Sequence, residues 1–228
     1  SKSVNNKQLN ILFKKNKIQL NKVEKILFCS VVPHTFKILK KILSKKTKVK
    51  CFEVKNLNLK SLIKLKVNFN QVGSDRITNS ISLMDKKNNY IILDFGTATT
   101  FDVILPSRDI ESLACYDGGI ITPGVYRSLD ALVAAAARLP AVTIEAWPAD
   151  QPVIGKSTET AMQSGILWGY VSLIEGMLSR IEAHYQMQMR VVATGGLAYL
   201  FAPHISKIES IRPDLTTDGL YQMAKRAE

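Results

Sequence analysis

The chain has 228 residues, of which 46% are hydrophobic and 22% charged, which suits a folded core of one or two domains and argues against wholesale disorder. No apolar run reaches the roughly 18 residues that a membrane-spanning helix needs, and the first residues lack the apolar centre of a signal peptide. The three cysteines are far apart, which excludes a disulfide framework and is typical of buried thiols in the cytoplasm.

The net charge of +12 is unevenly distributed along the chain. Residues 1–100 hold 20 Lys and 1 Arg against 5 acidic residues, whereas residues 101–228 hold 10 basic and 14 acidic residues. A basic half can indicate nucleic-acid binding, but here the lysines interrupt apolar segments such as 38–43, and few aromatic residues accompany them. The composition therefore favours a solvated, lysine-rich surface over a nucleic-acid interface.

The first 90 residues predict alternating strands and helices. Residues 1–25 show weak helical spacing, the apolar run Ile26–Cys29 indicates a buried strand, and helical periodicity follows over Thr35–Leu43. A second strand is predicted over Val49–Val54, and a helix with one apolar face over Asp75–Met84. This strand–helix–strand order indicates an α/β layer.

A second unit is predicted from Tyr90 onwards. Tyr90–Leu93 is predicted as a buried strand and Thr100–Leu105 as its hairpin partner. The remaining predicted elements are a helix capped by Ser128 that continues through Ala137, a helix from Ser157 or Thr158 to about Tyr185, a strand over Arg190–Ala193, and a last helix over Asp218–Arg226.

The first chemical motif is Gly73-Ser74-Asp75-Arg76, which opens a predicted helix. Asp75 can accept the proton of an attacking alcohol, and the guanidinium of Arg76 can bind a carboxylate or a phosphate through two parallel hydrogen bonds. A helix-capping Asp beside a surface Arg explains the same residues, and without further context this simpler interpretation is favoured.

The strongest local signal begins at the end of a buried strand and reads Asp94-Phe95-Gly96-Thr97-Ala98-Thr99-Thr100-Phe101-Asp102. Gly96 permits a tight turn, the N–H and hydroxyl groups around Thr97 can surround phosphate oxygens, and Asp94 can hold a cation or a water. A hairpin with threonine caps and a buried Asp is an equally good interpretation of this segment alone.

Three glycine-containing segments follow. Residues 118–124 carry paired glycines and a Pro-Gly pair, for which an ordinary turn is favoured. Gly155-Lys156-Ser157-Thr158 fails as a P-loop because Asp150 stands where the motif needs Gly, yet its hydroxyls at a helix N-terminus can bind an anion or a polar substrate. Thr194-Gly195-Gly196 follows a strand and can let a nucleotide base or ribose lie against bare backbone.

Together and in this order, these segments resemble the type III pantothenate kinase family of the actin-like kinase superfamily. The resemblance covers about residue 25 to the end of the chain. The shared segments are Ser30-Val31-Val32-Pro33, Gly73–Arg76, Asp94–Asp102, Gly118–Gly124, Gly155–Thr158, Thr194–Gly196 and Leu215-Thr216-Thr217-Asp218-Gly219-Leu220. The resemblance implies a homodimer and an α/β fold of two ribonuclease-H-like domains, at residues 1–88 and 89–228, with mixed sheets flanked by helices.

The resemblance also implies a reaction, the transfer of the ATP γ-phosphate to the primary hydroxyl of pantothenate at the start of coenzyme A synthesis. The implied cofactors are ATP with Mg²⁺ and a monovalent cation, K⁺ or NH₄⁺. Asp75 would be the catalytic proton acceptor, and Asp94 would bind the monovalent cation. The residues implied to contact pantothenate are Gly73, Ser74, Asp75, Arg76 and Thr158, and those implied to contact ATP are Gly96, Thr97, Gly195 and Gly196.

The chain also departs from the family pattern. Family members open with a strand and an Asp-x-Gly-Asn-Thr loop that grips the ATP phosphates, and no such loop precedes Ser30. An incomplete N-terminal domain and weak or absent kinase activity are therefore expected, since losing one electrostatic contact commonly lowers the rate ~10²–10³-fold. Lys66 stands where the family tends to have a Tyr. The alternative function is that of a non-enzymatic relative acting as a transcription accessory or binding protein.

Overall fold

The computed structural model describes residues 5–30, 32–109, 112–136, 138–148 and 151–226, so Val31, Ala137 and Asp150 of the sequence patterns lie outside the described residues. The helices are α1 (Asn6–Lys15), α2 (Pro33–Ser44), α3 (Ser74–Ser82), α4 (Val125–Ala135), α5 (Thr158–Tyr185), α6 (Ala198–Phe201) and α7 (Leu215–Arg226). The strands are β1 (Ile26–Phe28), β2 (Cys51–Glu53), β3 (Ile63–Leu65), β4 (Tyr90–Phe95), β5 (Ala98–Pro106), β6 (Ala114–Pro123), β7 (Arg190–Gly195) and β8 (Ile208–Ile211).

Within the described residues the strands form two sheets. β1 and β2 pair in parallel. The other six strands form one mixed sheet in the order β3-β6-β5-β4-β7-β8, in which β4 and β7 are parallel and β5 is antiparallel to both of its neighbours. Helices pack against this sheet, so the predicted α/β class with a mixed sheet flanked by helices is confirmed.

The apolar run that was predicted as a buried strand lies inside the six-stranded sheet as β4, and its residues Tyr90–Leu93 are all buried. The predicted hairpin is also present, with Asp94 of β4 opposite Thr100 of β5. On the other side, parallel pairing with β7 places Gly195 opposite Phe95. The glycine turns and the acidic end of β4 therefore meet at one edge of the sheet.

The long helix α5 begins where the sequence predicts. Ser157 is its N-cap, and the Ser157 hydroxyl accepts a hydrogen bond from the backbone N–H of Thr160. Leu167, Ile174 and Leu178 of this helix are buried in the same core as the apolar residues of β4 and β5. In the described part of the chain, neither α5 nor another helix is long and apolar enough to cross a membrane.

Two predictions for the segment after residue 115 are wrong. Ser128 does not cap a helix, because α4 already begins after Gly124, and the Ser128 hydroxyl instead lies 2.5 Å from the Tyr170 hydroxyl. Gly124 is required at the turn because a Cβ atom there would lie 2.1 Å from the carbonyl oxygen of Thr97. The turn expected over 118–124 is mostly strand β6, which pairs with β5 over nearly its whole length.

Elements from both ends of the chain pack together. Helix α7 begins at the buried Leu215, three residues earlier than predicted, and packs against α3. Gly219 allows this close approach, since a Cβ atom there would lie 2.0 Å from the carbonyl oxygen of Thr78. Strand β3 pairs with β6, so the six-stranded sheet contains residues from both sides of position 88. The division into domains 1–88 and 89–228 stays a prediction.

Candidate functional site

Asp75 is the second residue of α3 and lies in its first turn, two positions after the N-cap residue Gly73. Its Oδ1 accepts a hydrogen bond of 2.9 Å from the backbone N–H of Arg76, and within the described residues no other hydrogen bond reaches this carboxylate. Gly73 makes this arrangement possible, because a Cβ atom at that position would lie 2.3 Å from Asp75 Oδ1. Asp75 is half-buried, and its second carboxylate oxygen, Oδ2, accepts no hydrogen bond from the described residues.

Ser74 anchors α3 to the end of β1. The residue is 3% exposed, and its hydroxyl donates to the carbonyl oxygen of Ser30 at 3.0 Å. Its own carbonyl oxygen accepts a hydrogen bond from Thr78 Oγ1 at 2.6 Å. The side chain of this predicted substrate-binding residue thus faces the protein interior, which leaves backbone atoms as the groups that Ser74 can offer to a ligand.

Arg76 points from α3 to Asp102 on β5. Arg76 Nε donates to Asp102 Oδ1 at 2.7 Å, and Nη2 lies 2.7 Å from the same oxygen. Asp102 is completely buried and also accepts hydrogen bonds from the Tyr116 hydroxyl at 2.7 Å and from Thr100 Oγ1 at 3.1 Å. Burial raises the pKa of Asp102, and the Arg76 charge works against this shift. Arg76 is thereby held in one position by a buried network.

The paired glycines of β6 leave room for this network. A Cβ atom on Gly119 would lie 2.6 Å from Arg76 Nη2 and 2.1 Å from the carbonyl oxygen of Phe101. Gly118 has φ of 135°, a backbone conformation that side chains rarely adopt, and it lies at the register shift after Val103. The glycines that the sequence indicated as a turn therefore allow a strand to pass close to the guanidinium.

Asp94 lies at the end of β4 among other acidic groups. Burial raises its pKa to about 6, and the negative charges of Asp75 and Asp102 add to this shift. Asp75, Asp94 and Asp102, with Arg76, are called the carboxylate cluster below. The cluster holds three carboxylates and one guanidinium, which pairs with Asp102, so it has an excess of negative charge that a bound cation would relieve. In the described part of the chain, no three His, Cys, Asp or Glu side chains are placed to hold a metal ion by themselves.

Asn79 is a site residue that the sequence analysis missed. This residue of α3 is completely buried, and its Nδ2 donates to Asp94 Oδ2 at 3.1 Å. Its Oδ1 accepts a hydrogen bond of 2.6 Å from the hydroxyl of Thr216 on α7. Thr216 belongs to one of the segments that carry the family resemblance, and this membership is the sequence signal that points to it. The signal does not reveal its partner Asn79, which lies 137 residues away in the chain.

Three further predicted residues, Gly96, Thr97 and Gly196, line an open cleft of about 510 Å³ next to the carboxylate cluster. We call it the glycine cleft, and its lining residues are Phe95, Gly96, Thr97, Tyr126, Arg127, Asp130, Gly196 and Leu197. Gly195 lies at its border with φ of 90°, and a Cβ atom there would lie 2.7 Å from Asp94 Oδ1. Asp94 is therefore the member of the carboxylate cluster that borders the glycine cleft, and its Oδ1 is directed at the glycine turn.

Thr158 is the exposed first residue of α5, and no hydrogen bond in the described residues joins it to the carboxylate cluster or the glycine cleft. Lys66 forms an ion pair with Asp117 on β6. The structure thus brings together Gly73, Asp75, Arg76 and Asp94 around the cluster and Gly96, Thr97 and Gly196 in the cleft, whereas the position of Thr158 relative to a ligand stays a prediction.

This arrangement suits the transfer of an anionic group to an alcohol. A carboxylate with a free oxygen can accept a proton, an adjacent guanidinium can bind a second anionic group, and an open cleft with glycine backbone can accept a polyphosphate. The negative charge of the cluster would also attract a cation, which could lie between the bound polyphosphate and the bound alcohol.

Comparisons with known proteins point to the same chemistry. A family model described as "Type III pantothenate kinase" matches residues 2–180. A type III pantothenate kinase of Pelagibacter ubique is 40% identical over 96% of this chain and 85% of the relative. The enzyme of the same name from Rhizorhabdus wittichii is 42% identical over 90% of this chain and 76% of the relative.

Among solved structures, the chain is similar to a conserved protein assigned to the Baf family of transcriptional activators from Campylobacter jejuni. The likeness covers 90% of this chain and 83% of that protein, with a TM-score of 0.57 and 21% sequence identity. At this identity the likeness concerns the fold alone.

Proposed function

The chain belongs to the type III pantothenate kinase family, and we propose that its carboxylate cluster is the pantothenate side of the kinase site and its glycine cleft the ATP side. The family resemblance seen in the sequence is confirmed. The chain is a pantothenate kinase of coenzyme A biosynthesis, with pantothenate and ATP as substrates. The alternative of a non-enzymatic relative is not favoured, because the similar curated proteins are kinases by name.

In the proposed mechanism, Asp75 is the proton acceptor. The oxygen of the primary hydroxyl of pantothenate bonds to the γ-phosphorus of ATP, the bond from that phosphorus to the β–γ bridging oxygen breaks, and ADP leaves. The hydroxyl proton passes to Asp75, whose carboxylate has one oxygen without a protein partner. This free oxygen beside Arg76 is the observation that supports the assignment most strongly.

Arg76 binds pantothenate in this mechanism, whereas Asp75 accepts the proton. Because Nε and Nη2 face Asp102, Nη1 is the part of the guanidinium that is left to contact pantothenate. Backbone atoms of Gly73 and Ser74 complete this side, and Thr158 is the remaining proposed pantothenate contact. Because buried Asp102 holds Arg76 in place, less entropy is lost when Arg76 positions the pantothenate hydroxyl for attack on ATP.

Asp94 is the proposed ligand of a monovalent cation, K⁺ or NH₄⁺. The Asp94 Oδ1 atom, which no hydrogen bond reaches in the described residues, supports this role. Burial and like charges raise the pKa of Asp94, and a nearby positive charge would counteract that shift. A bound cation would spread the negative charge that develops during phosphoryl transfer. Mg²⁺ commonly binds through substrate phosphates with one or two carboxylates, and ATP in the glycine cleft would supply such phosphates.

On the ATP side, we propose that Gly96, Thr97, Gly195 and Gly196 contact the nucleotide. The lining of the glycine cleft supports this assignment, since three of these residues face it and Gly195 borders it. Bare glycine backbone lets phosphates or a ribose approach N–H groups closely, and the exposed Thr97 hydroxyl adds a donor.

The function is tested by incubating the chain with ATP, MgCl₂ and KCl and following ADP release with and without pantothenate. The expected result is pantothenate-dependent ADP release together with a product that mass spectrometry identifies as phosphorylated pantothenate. Release of ADP that is unaffected by pantothenate contradicts the proposal. The same assay measures the expected reduction in rate, which stays a prediction.

The homodimer that the resemblance implies and the cytoplasmic location that the cysteines indicate also stay predictions. Light scattering on the purified chain tests the dimer, with twice the 25.4 kDa chain mass as the expected result. A basic surface that bound DNA would show retention on DNA that falls steeply with salt, and the expected result is no such retention at physiological salt.

A further inference from the structure

We infer that Asn79 and Thr216 are positioning residues that hold the Asp94 carboxylate with Oδ1 directed at the glycine turn. The inference rests on the proposed function, because it concerns how the chain presents Asp94 to the cation and to ATP. It starts from a chain of two hydrogen bonds that links α7, α3 and β4 and that ends on Asp94.

The two oxygens of Asp94 have different surroundings. Oδ2 accepts the 3.1 Å hydrogen bond from Asn79 Nδ2. Oδ1 points toward the glycine turns, since Cβ atoms on Gly96 and Gly195 would lie 3.5 Å and 2.7 Å from it. Within the described residues no hydrogen bond reaches Oδ1. A single donor on Oδ2 thus fixes which oxygen is left to a ligand.

The Thr216 hydroxyl stabilises the orientation in which the NH₂ group of Asn79 faces Asp94. The Thr216 hydroxyl donates to Asn79 Oδ1 at 2.6 Å, which leaves the NH₂ group for the carboxylate. If the amide were reversed, its carbonyl oxygen would face an ionised carboxylate, and two acceptors would repel each other. Because Asn79 is completely buried, water cannot replace either partner.

The packing of α7 places this hydroxyl. Gly219 lies one turn after Thr216 and lets α7 approach the backbone of α3 at Thr78. The segment Leu215–Leu220 has no contact with the glycine cleft among the described residues. The segment therefore acts on the site through the Thr216 hydroxyl, while Leu215 and Gly219 pack α7 in place.

The neighbouring threonine provides a matched control. Thr217 is exposed on α7 and makes no hydrogen bond through its side chain in the described residues, so Thr217→Val changes the same atoms at a neutral position. Thr216→Val removes the positioning hydroxyl with little change of volume, Thr216→Ser keeps it, and Asn79→Asp removes the NH₂ donor.

Two measurements separate positioning from stability. The first is the KCl concentration for half-maximal activity, with choline chloride keeping the ionic strength constant. The second is the increase in Tm that KCl produces over choline chloride without substrates. Thr216→Val and Asn79→Asp are expected to raise the KCl concentration for half-maximal activity about tenfold, as is common when a residue that hydrogen-bonds to a metal ligand is replaced. Both variants are also expected to abolish the Tm increase. Thr216→Ser and Thr217→Val are expected to stay within about twofold of the wild type.

The inference is overturned if Thr216→Val behaves like Thr217→Val in both measurements, or if it lowers Tm without changing either response to KCl. It is also overturned if KCl changes neither property of the wild type. A wild type without pantothenate-dependent activity, but with a KCl-dependent Tm increase that Thr216→Val abolishes, contradicts the proposed function and supports the positioning role.

Discussion

The two sides of Asp94 are built differently. On the cluster side, Arg76, Asp102 and Tyr116 come from three elements and are joined by short hydrogen bonds between buried or half-buried side chains. On the cleft side, Gly96 and Gly196 are exposed and present bare backbone, while side chains such as Tyr126 and Arg127 line the rest of the cleft. Hydrogen bonds between side chains therefore distinguish the first side, and bare backbone at the glycine turns distinguishes the second.

This difference predicts which kinds of substitution each side tolerates. On the cluster side, removing the charge of Asp102 should destabilise the chain, because it leaves the buried Arg76 guanidinium without its partner. Removing the charge of Asp75 should instead prevent proton acceptance. The glycine cleft should fail when a side chain is added, because its ligands approach bare backbone.

Asp75→Asn is expected to have the largest effect. Removing the proton acceptor should lower kcat about 10³-fold, within the range for general bases, while the variant keeps its fold. Steady-state kinetics of pantothenate-dependent ADP release checks the rate, and Tm checks the fold. Asp85→Asn is the control, because Asp85 lies outside both sides of the site. Equal rates for the two variants would contradict the assignment of Asp75.

Asp102→Asn tests the buried network. The substitution leaves the Arg76 charge without its partner, so the free energy of unfolding should fall by about 3–5 kcal/mol and KM for pantothenate should rise. Thr100→Val is the milder comparison, because it removes one 3.1 Å hydrogen bond to the same carboxylate and should cost about 1 kcal/mol. Urea unfolding measures both. A smaller loss for Asp102→Asn than for Thr100→Val would argue against the network.

Gly195→Ala and Gly196→Ala form a matched pair on the cleft side. At Gly195, φ is 90° and an added Cβ would lie 2.6 Å from the Phe95 carbonyl oxygen, so the substitution should destabilise the chain by about 2 kcal/mol. At Gly196 nothing lies within 4 Å, so Tm should stay unchanged while KM for ATP rises. Thermal unfolding and ATP titration check the pair. An unchanged KM for ATP in Gly196→Ala would contradict the assignment of this residue to the ATP side.

Asp85 gives the smallest effect and contrasts with Asp94. Burial alone would raise the pKa of Asp85, but hydrogen bonds from Asn88, from the Lys87 N–H and from Tyr90 outweigh it and lower the pKa to about 2. The lowered pKa stabilises the fold above about pH 4, and this contribution is lost as the pH falls toward 2. After solvent screening it amounts to about 1 kcal/mol.

Unfolding of Asp85→Asn as a function of pH checks this value. The variant should be less stable than the wild type at pH 7, and the difference should shrink between pH 4 and pH 2. A difference that is constant over this range, or that grows toward low pH, would contradict the lowered pKa of Asp85.

Local patterns predicted much of the sheet and of the site. The strand before Asp94, its hairpin partner and the start of α5 at Ser157 are correct, because each depends on neighbours within a few residues. The proposed catalytic segment Gly73–Arg76 can be read from the sequence for the same reason, since its Gly, Asp and Arg lie within four successive residues.

Contacts that depend on packing could not be predicted. Thr216 and Asn79 are 137 residues apart, and Asp102 meets Arg76 only because β5 runs beside α3. Ser128 was mistaken for a cap, since the tight packing of Gly124 against Thr97 starts the helix earlier. Amphipathic patterns and capping residues carry no information about such distant partners.

The most direct test is a crystal structure of the chain with ADP, Mg²⁺ and pantothenate. The account predicts that the primary hydroxyl of pantothenate lies about 2.6–3.2 Å from an Asp75 carboxylate oxygen, with the ADP phosphates against Gly96 and Thr97. Pantothenate bound away from α3, or its hydroxyl nearer to Asp94 than to Asp75, would contradict it.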